Sequence, residues 1–492
     1  MKSEHSFYPR VVVALLFIIF CIGCGTHHSN NVFRSPNLDT VFSPNGAIFG
    51  QRTGLGEIRV FKGIPYAKAA ADNLRWMPPV PADPFKRVFQ ATMFGDNCDQ
   101  GGGGPAPPVK AGEPANPYTA EYEINRGDPQ SENCLCLNIW TSAKTKDDNL
   151  PVLVFIHGGG LGGGSGSIPL YDGEGLARKG IIVITINYRL AIFGFFSHPA
   201  LRVNGKPAGN FGLLDQIEAL KWVQKNISSF GGDPHRVTIA GQSAGAWSVS
   251  ALVSSAMTKG LFHRAIAQSG GIFAPADSSV RMNPFLSIAH AEREGVKFVR
   301  NYPCQDLSEL KKEPATNILK KSISYGLVAD GILLPKDIYT AIAENKHNDI
   351  PLLIGWNADD ARGFGWQART FATAAAKNQR AKVFVYFFTK VAPGTPEEVK
   401  LGAYHSAEIA YVFNNLKKWN RPWADDDYKL SEMASSYWAN FVKTGDPNGP
   451  MLPVWPAYKV NDQRCQELGK TVGSIPIPGK EEYDFFNKTF HR

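Results

Sequence analysis

At 492 residues the chain could hold two or three average domains or one large α/β domain, and either would bury a sizeable core. Its 52 Lys and Arg against 44 Asp and Glu leave a formal net charge of +8, spread without a dense basic block or a basic stripe interleaved with aromatics, which argues against a nucleic-acid partner. No spaced set of His, Cys, Asp and Glu suggests a metal centre.

The chain opens with Lys2 and Arg10 in a polar start, then an uncharged apolar run over 11–22, shorter than the roughly 20 residues a bilayer-spanning helix needs. Residues 1–24 therefore read as a signal peptide, and the mature protein is expected to be exported: secreted, periplasmic or held at a membrane surface. The run ends at Gly23-Cys24 and resembles a bacterial lipobox, although Cys21 stands where that motif usually has leucine. Two outcomes stay open, a lipid anchor on Cys24 and simple cleavage nearby. Residues 25–40 are polar and patternless, a tether. Of the seven cysteines five lie beyond the signal, an odd number that leaves at least one unpaired.

From Val41 the pattern is that of a folded domain running to residue 492. Short alternating segments at 47–49 and 58–61 read as antiparallel strands, and the Gly/Pro-rich stretch between Cys98 and Cys134, with Gly101 to Gly104 in a row, reads as a surface loop. The runs 151–156 and 181–186 are continuously apolar, the mark of strands covered on both faces of a parallel sheet. A helical pattern over 215–225 precedes the β-branched run Val237-Thr238-Ile239. That run ends in Gly241-Gln242-Ser243-Ala244-Gly245, ahead of a small-residue helix over 244–256. Strand, helix, strand, sharp turn and helix make a doubly wound α/β series. Residues 257–350 mix amphipathic helix, as at 288–299, with loops that could cap the sheet as a lid. Strands return at 350–355 and 383–388.

Gly-x-Ser-x-Gly between strand and helix is a nucleophile elbow: the turn pushes Ser243 out, and the helix's first amide, on Ala244, faces the place where charge would develop on an attacked carbonyl. A serine hydroxyl is a poor nucleophile at neutral pH and needs a histidine to take its proton and an acid to orient that histidine. On folds with this elbow the three follow in the order Ser, acid, His. The strand at 350–355 runs into Asp359 and Asp360, one of which is the acid. Of eleven histidines only His405 and His491 follow, and His491 is the penultimate residue, so His405 is the base by elimination. His157-Gly158-Gly159-Gly160, directly after a strand, lets two backbone amides approach the substrate oxygen with no Cβ in the way.

These residues together make the chain resemble the type B carboxylesterases, from about residue 41 to 486. The resemblance is carried by Gly63-Ile64-Pro65-Tyr66-Ala67, Ser131-Glu132-Asn133-Cys134-Leu135, His157 to Gly160, Asn187-Tyr188-Arg189-Leu190 and Gly209-Asn210-Phe211-Gly212. It continues through Phe230-Gly231-Gly232-Asp233-Pro234, Gln268-Ser269-Gly270 and Tyr404-His405-Ser406-Ala407-Glu408. It implies an α/β-hydrolase fold, a mostly parallel central sheet flanked by helices on both faces with a partial helical lid. It implies Ser243 as nucleophile, Asp360 as acid, His405 as base, and the amides of Gly159, Gly160 and Ala244 as the oxyanion hole. A Cys98–Cys134 disulfide is also implied, worth about 3–4 kcal/mol on the loop-entropy model, for which Cys136 could compete if the strand is extended there.

The chain departs from the family in four places. Gln242 stands where many members have glutamate, and the loop between Cys98 and Cys134 lacks the tryptophan of a choline site. Leu161 follows the glycines where phenylalanine is common, pointing to a differently shaped acyl pocket. Asp360 and His405 are only 45 positions apart, so helices that usually wall the gorge are expected to be missing. The function implied is hydrolysis of small carboxylic esters, apolar or aryl rather than charged, through an acyl-enzyme and without metal or organic cofactor. A catalytically silent binding protein and a lipase-type variant are the other members of the family that this pattern could represent.

Overall fold

Strands with no polar face can only sit where both faces are covered, and the apolar runs do so here. The computed structural model describes residues 39–53, 57–101, 128–206, 208–278, 283–304, 306–321, 323–378 and 380–490. The apolar runs form the middle of an eleven-stranded sheet. In chain order its strands are β1 (Gln51–Arg52), β2 (Arg59–Pro65), β3 (Cys136–Thr141), β4 (Leu150–Ile156), β5 (Ile182–Ile186), β6 (Gly232–Gln242), β7 (Arg264–Gln268), β8 (Leu352–Asn357), β9 (Val383–Phe388), β10 (Arg464–Leu468) and β11 (Val472–Pro476). They lie side by side in the order β11-β10-β9-β8-β7-β6-β4-β5-β3-β2-β1. Neighbours from β5 to β10 are parallel. One edge is closed by β3, β2 and β1 and the other by β11, all antiparallel to their neighbours.

Alternate residues of each central strand enter different cores. Val152, Val154 and Ile156 of β4 pack with the helices α1 (Phe211–Asn226), α2 (Ala244–Ser254) and α3 (Phe364–Asn378). Leu153 and Phe155 face the opposite side, where Leu430, Ala434, Trp438 and Phe441 of α4 (Asp425–Thr444) cover them. Helix α2 is buried along its whole length, and its small residues are what allow a helix to lie so close against the strands.

The segment expected to cap the sheet carries the helices Ile288–Asn301, Leu307–Leu310 and Ala315–Leu319. They share a separate apolar cluster with Trp76, Phe196 and Phe211. Arg75 fastens this cap: its guanidinium donates to both carboxylate oxygens of Glu132 and to the carbonyl of Glu313, so a buried pair keeps its hydrogen bonds.

Five strands of the main sheet, β1, β3, β7, β10 and β11, went unread in the sequence. β3 lies a few residues beyond the glycine/proline stretch. β7, Arg-Ala-Ile-Ala-Gln, is strand only because it is wedged between β6 and β8, and β10 and β11 have too few apolar residues to stand out. Of the two short strands that did stand out, Gly46–Phe49 belongs to a separate small sheet with Thr40–Ser43, and only β2 joins the main one.

Cys98 and Cys134 form a disulfide, and Cys136, Cys304 and Cys465 are free. Cys136 does not compete for the bond, because the chain is not extended where the alternation argument needed it to be. The Cys136 N–H donates to the Cys134 carbonyl at 2.8 Å, a tight turn that sends the thiol toward Gly95. Burial there raises its pKa to about 12. The signal expected over 1–24 with Cys24, the tether as far as residue 38 and most of the glycine/proline loop, 102–127, lie outside the described residues. Among the described residues no helix is long and apolar enough to cross a membrane, and no group of three or more His, Cys, Asp or Glu could hold a metal ion.

Phe155 sits under the middle of the sheet, edge-on to Phe413 at 5.0 Å and tilted against Tyr171 at 4.7 Å. Phe155→Ala should therefore cost about 3–5 kcal/mol of stability, read as a lowered denaturant midpoint. Val454→Ala, at a side chain left 77% exposed, should stay within about 0.5 kcal/mol.

Candidate active site

The turn after β6 holds Ser243 at φ 57° and ψ −121°, a left-handed conformation that costs a non-glycine residue about 1–3 kcal/mol. Its two glycines are required by close approach. A Cβ on Gly241 would collide with the backbone of Gly245, and one on Gly245 with the carbonyl of Ile156. The Ser243 N–H donates to the Gln268 carbonyl at 2.8 Å, tying the turn to the end of β7, and helix α2 begins at Ala244.

The glycines after β4 lie against this turn: a Cβ on Gly158 would meet the Gln242 carbonyl and Oε1 at 2.8 Å and the Cβ of Ser243 at 3.1 Å. Gly159 and Gly160 are both left-handed, at φ 109° and 64°. Gly159 is closed in by the Gly163 carbonyl, whereas a Cβ at Gly160 would meet no atom within 4 Å. His157 anchors the start of the loop. It is buried and stacked on Tyr188 at 4.4 Å, and burial lowers its pKa to about 4 against the bond from its Nδ1 to the Gly158 carbonyl, so it stays neutral. Leu161, expected to shape an acyl pocket, is buried within the main core.

Strand β8 ends at Asn357, and the loop beyond it separates the two aspartates. Asp360 Oδ1 lies 2.6 Å from His405 Nδ1, and its Oδ2 accepts from Ser269 Oγ at 2.7 Å and the Asn357 N–H at 2.8 Å. Asp359 instead accepts from the Ala403 N–H at 2.7 Å, and its own N–H donates to the Ala403 carbonyl, stitching the acid loop to the histidine loop. The ring of His405 is stacked on Phe364 at 4.7 Å and 12°. Its Nε2 faces Nε2 of Gln242 at 3.1 Å. An amide nitrogen only donates, so Nε2 is the accepting nitrogen and Nδ1 carries the proton toward Asp360, the tautomer a general base at Nε2 requires. Burial pulls the His405 pKa down, but the charge and hydrogen bond of Asp360, with the charge of Glu408, outweigh it and the pKa is raised above 6.5.

Gln242, Ser269 and Glu408 were not read as site residues. Each lay inside a quoted motif, beside Ser243, in Gln268-Ser269-Gly270 and three residues past His405, and that was the available signal. Glu408 is fully buried, accepting from Gln268 Nε2 at 3.1 Å and Asn357 Nδ2 at 2.7 Å. Burial, with the nearby charge of Asp360, pushes its pKa up to about 7.

A parallel sheet with this elbow at the end of β6, and acid and histidine loops beyond β8 and β9, is an α/β-hydrolase. The sequence model of the Carboxylesterase family matches residues 37–367 and 363–486. Among similar proteins, the para-nitrobenzyl esterase of Bacillus subtilis (strain 168) is 33% identical, covering 83% of this chain and 91% of its own. Liver carboxylesterase 1F of Rattus norvegicus is 31% identical over 97% of both chains, and the fumonisin B1 esterase of Sphingopyxis macrogoltabida is 31% identical over 87% and 86%. The solved structure of a thermophilic PNB esterase superposes with a TM-score of 0.76 at 28% identity, covering 91% of this chain and 99% of that one. The chain belongs to the carboxylesterase family and is a carboxylic ester hydrolase.

Glu408 yields a stability test. Its folded pKa of about 7 lies above the ordinary 4.5, so between those values the unfolded chain releases the proton that the folded chain keeps. Its contribution to stability therefore falls as pH rises through that window, by about 3 kcal/mol at most. Glu408→Gln should flatten the decline in denaturant midpoint between pH 4.5 and 7. An unchanged slope would show that the carboxyl titrates normally.

Proposed function

We propose that the protein hydrolyses esters through an acyl-enzyme on Ser243, with His405 as general base and Asp360 as its orienting acid. The observation that carries this is the 2.6 Å contact of Asp360 with His405 Nδ1, which leaves Nε2 turned to the segment bearing Ser243. Ser243 Oγ attacks the carbonyl carbon while His405 Nε2 takes its proton. The oxyanion of the tetrahedral intermediate is met by the amides of Gly159, Gly160 and Ala244. Collapse breaks the C–O bond, His405 returns the proton to the leaving alcohol, and water repeats the cycle on the acyl-serine to release the acid. Asp360 stabilises the imidazolium formed in each half. The substrates in this reading are small apolar or aryl esters.

Hydrolysis of p-nitrophenyl butyrate tests the roles. Ser243→Ala should lower kcat by roughly 10⁴-fold or more and Asp360→Asn by about 10³- to 10⁴-fold, whereas Asp359→Asn should stay within about 10-fold. Only neutral His405 accepts a proton, so kcat/KM should fall as pH drops through an inflection above 6.5, and Asp360→Asn should move that inflection down. Turnover surviving Ser243→Ala would sink the scheme.

The disulfide is compatible with export, and we read residues 1–24 as the signal, with lipidation of Cys24 as one outcome. Labelling with a radioactive fatty acid decides between the two: incorporation lost in Cys24→Ser establishes the anchor, and no incorporation means plain cleavage.

A further inference from the structure

Six of the eight residues from His157 to Gly164 are glycine, so this loop carries almost no side chains of its own with which to hold a shape. An oxyanion hole works only if its donors already point at the site when charge develops. Something outside the loop must supply that rigidity.

One side chain reaches it from the disulfide segment. Gln100 Oε1 accepts from the Gly164 N–H at 2.8 Å, and Gln100 Nε2 donates to the Gly164 carbonyl at 3.1 Å, so the carboxamide pairs with both polar groups of one glycine. Nε2 also donates to the Cys98 carbonyl at 3.1 Å. Gln100 is fixed in turn, because its N–H donates to Gln130 Oε1 at 3.2 Å, the strand Asn97–Cys98 pairs with Gln130–Ser131, and Cys98 is bonded to Cys134. At the other end of the clamp, Gly164 is left-handed at φ 103° and packs so tightly on His157 and Gly158 that no Cβ would fit. Between the two ends, the N–H groups of Gly162 and Gly163 both donate to the Gly159 carbonyl, at 3.1 and 3.0 Å. Gln100 and Gly164 are joined by two hydrogen bonds, and the Gly163–Gly164 peptide links that pair to the turn closed on Gly159, which makes one continuous connection. It ends on the peptide between Gly159 and Gly160, which carries one of the proposed donors.

We infer that Gln100 is a positioning residue for the oxyanion loop, anchored by the Cys98–Cys134 disulfide. The inference rests on the assignment of Gly159 and Gly160 as oxyanion donors. In this scheme Gln100 acts through the loop rather than on substrate, so its loss is felt in the transition state and not in ground-state binding.

The test compares the wild-type enzyme with Gln100→Ala and Gln100→Met, the second keeping similar side-chain volume without the amide. Each is assayed on p-nitrophenyl butyrate and with a pair of inhibitors, an alkyl trifluoromethyl ketone and the matching methyl ketone. The fluorinated ketone adds Ser243 Oγ to its carbonyl carbon, the serine proton passing to His405, and places a real oxyanion in the hole. Both variants are expected to lose about 10- to 100-fold in kcat with KM within about 2-fold, and to bind the trifluoromethyl ketone more weakly by a similar factor. Circular dichroism and melting near wild type would accompany that loss. Unchanged kcat and ketone affinity in Gln100→Met overturn the inference, since packing alone would then hold the loop, and so does a loss confined to KM. Should wild type bind the trifluoromethyl ketone no better than the methyl ketone, the oxyanion assignment itself fails, and the inference with it.

Discussion

The geometry of the site depends on one strained turn. Ser243 is held left-handed only because three backbones meet where side chains cannot fit: Gly241 on Gly245, Gly245 on the Ile156 carbonyl, and Gly158 on Gln242. The sheet supplies the force. With β4, β6 and β7 locked in parallel register and both faces buried, the ends of these strands cannot drift apart, and the strain at Ser243 is borne by packing elsewhere. The strand ends that converge there bring the glycine loop, the elbow and the acid loop to one edge of the sheet, as expected for open α/β folds.

Charge is arranged around that turn as carefully as shape. The side chains of two acids, Asp360 and Glu408, are buried near His405. Their surroundings separate them. Asp360 receives two hydrogen bonds on one oxygen and faces the imidazole with the other, whereas Glu408 accepts only from amide donors and burial, with the charge of Asp360, raises its pKa to about 7. The raised histidine and the reluctant glutamate are thus consequences of one acid having taken the histidine.

The connection from acid to histidine is short but structurally complete. Its 45 positions hold the fifteen-residue helix α3, strand β9 and the short helix Pro396–Val399, enough to run once along the sheet and return His405 to the strand ends. α3 also contributes Phe364, whose ring lies flat on His405. A compact connection therefore still gives the histidine both a charged partner and an apolar seat.

The elbow, the acid loop, the order in which histidine must follow and the glycine run were all legible from local chemistry. A strand-to-helix turn bearing serine needs glycine on both sides wherever it occurs, and a long apolar run has one stable place in a sheet. The disulfide was carried by the family pattern rather than by any local signal. What could not be read was the set of residues whose significance is a distance. Local chemistry does not separate Asp359 from Asp360, and it was the family pattern that implied Asp360; the path of the loop sends that one to His405 and the other to Ala403. Ser269, Glu408, Gln242 and Gln100 are ordinary polar residues until the fold sets them against Asp360, Asn357, His405 and Gly164. β7 shows the same division in the backbone: Ala-rich and polar at its end, it is a strand because its neighbours leave it no other hydrogen-bond partners. Sequence by itself determined which segments could form strands, helices and sharp turns, since those depend on contacts a few residues apart. Which polar groups meet in the buried space between them was decided by tertiary structure, because hydrogen bonding and burial act between residues a hundred positions apart.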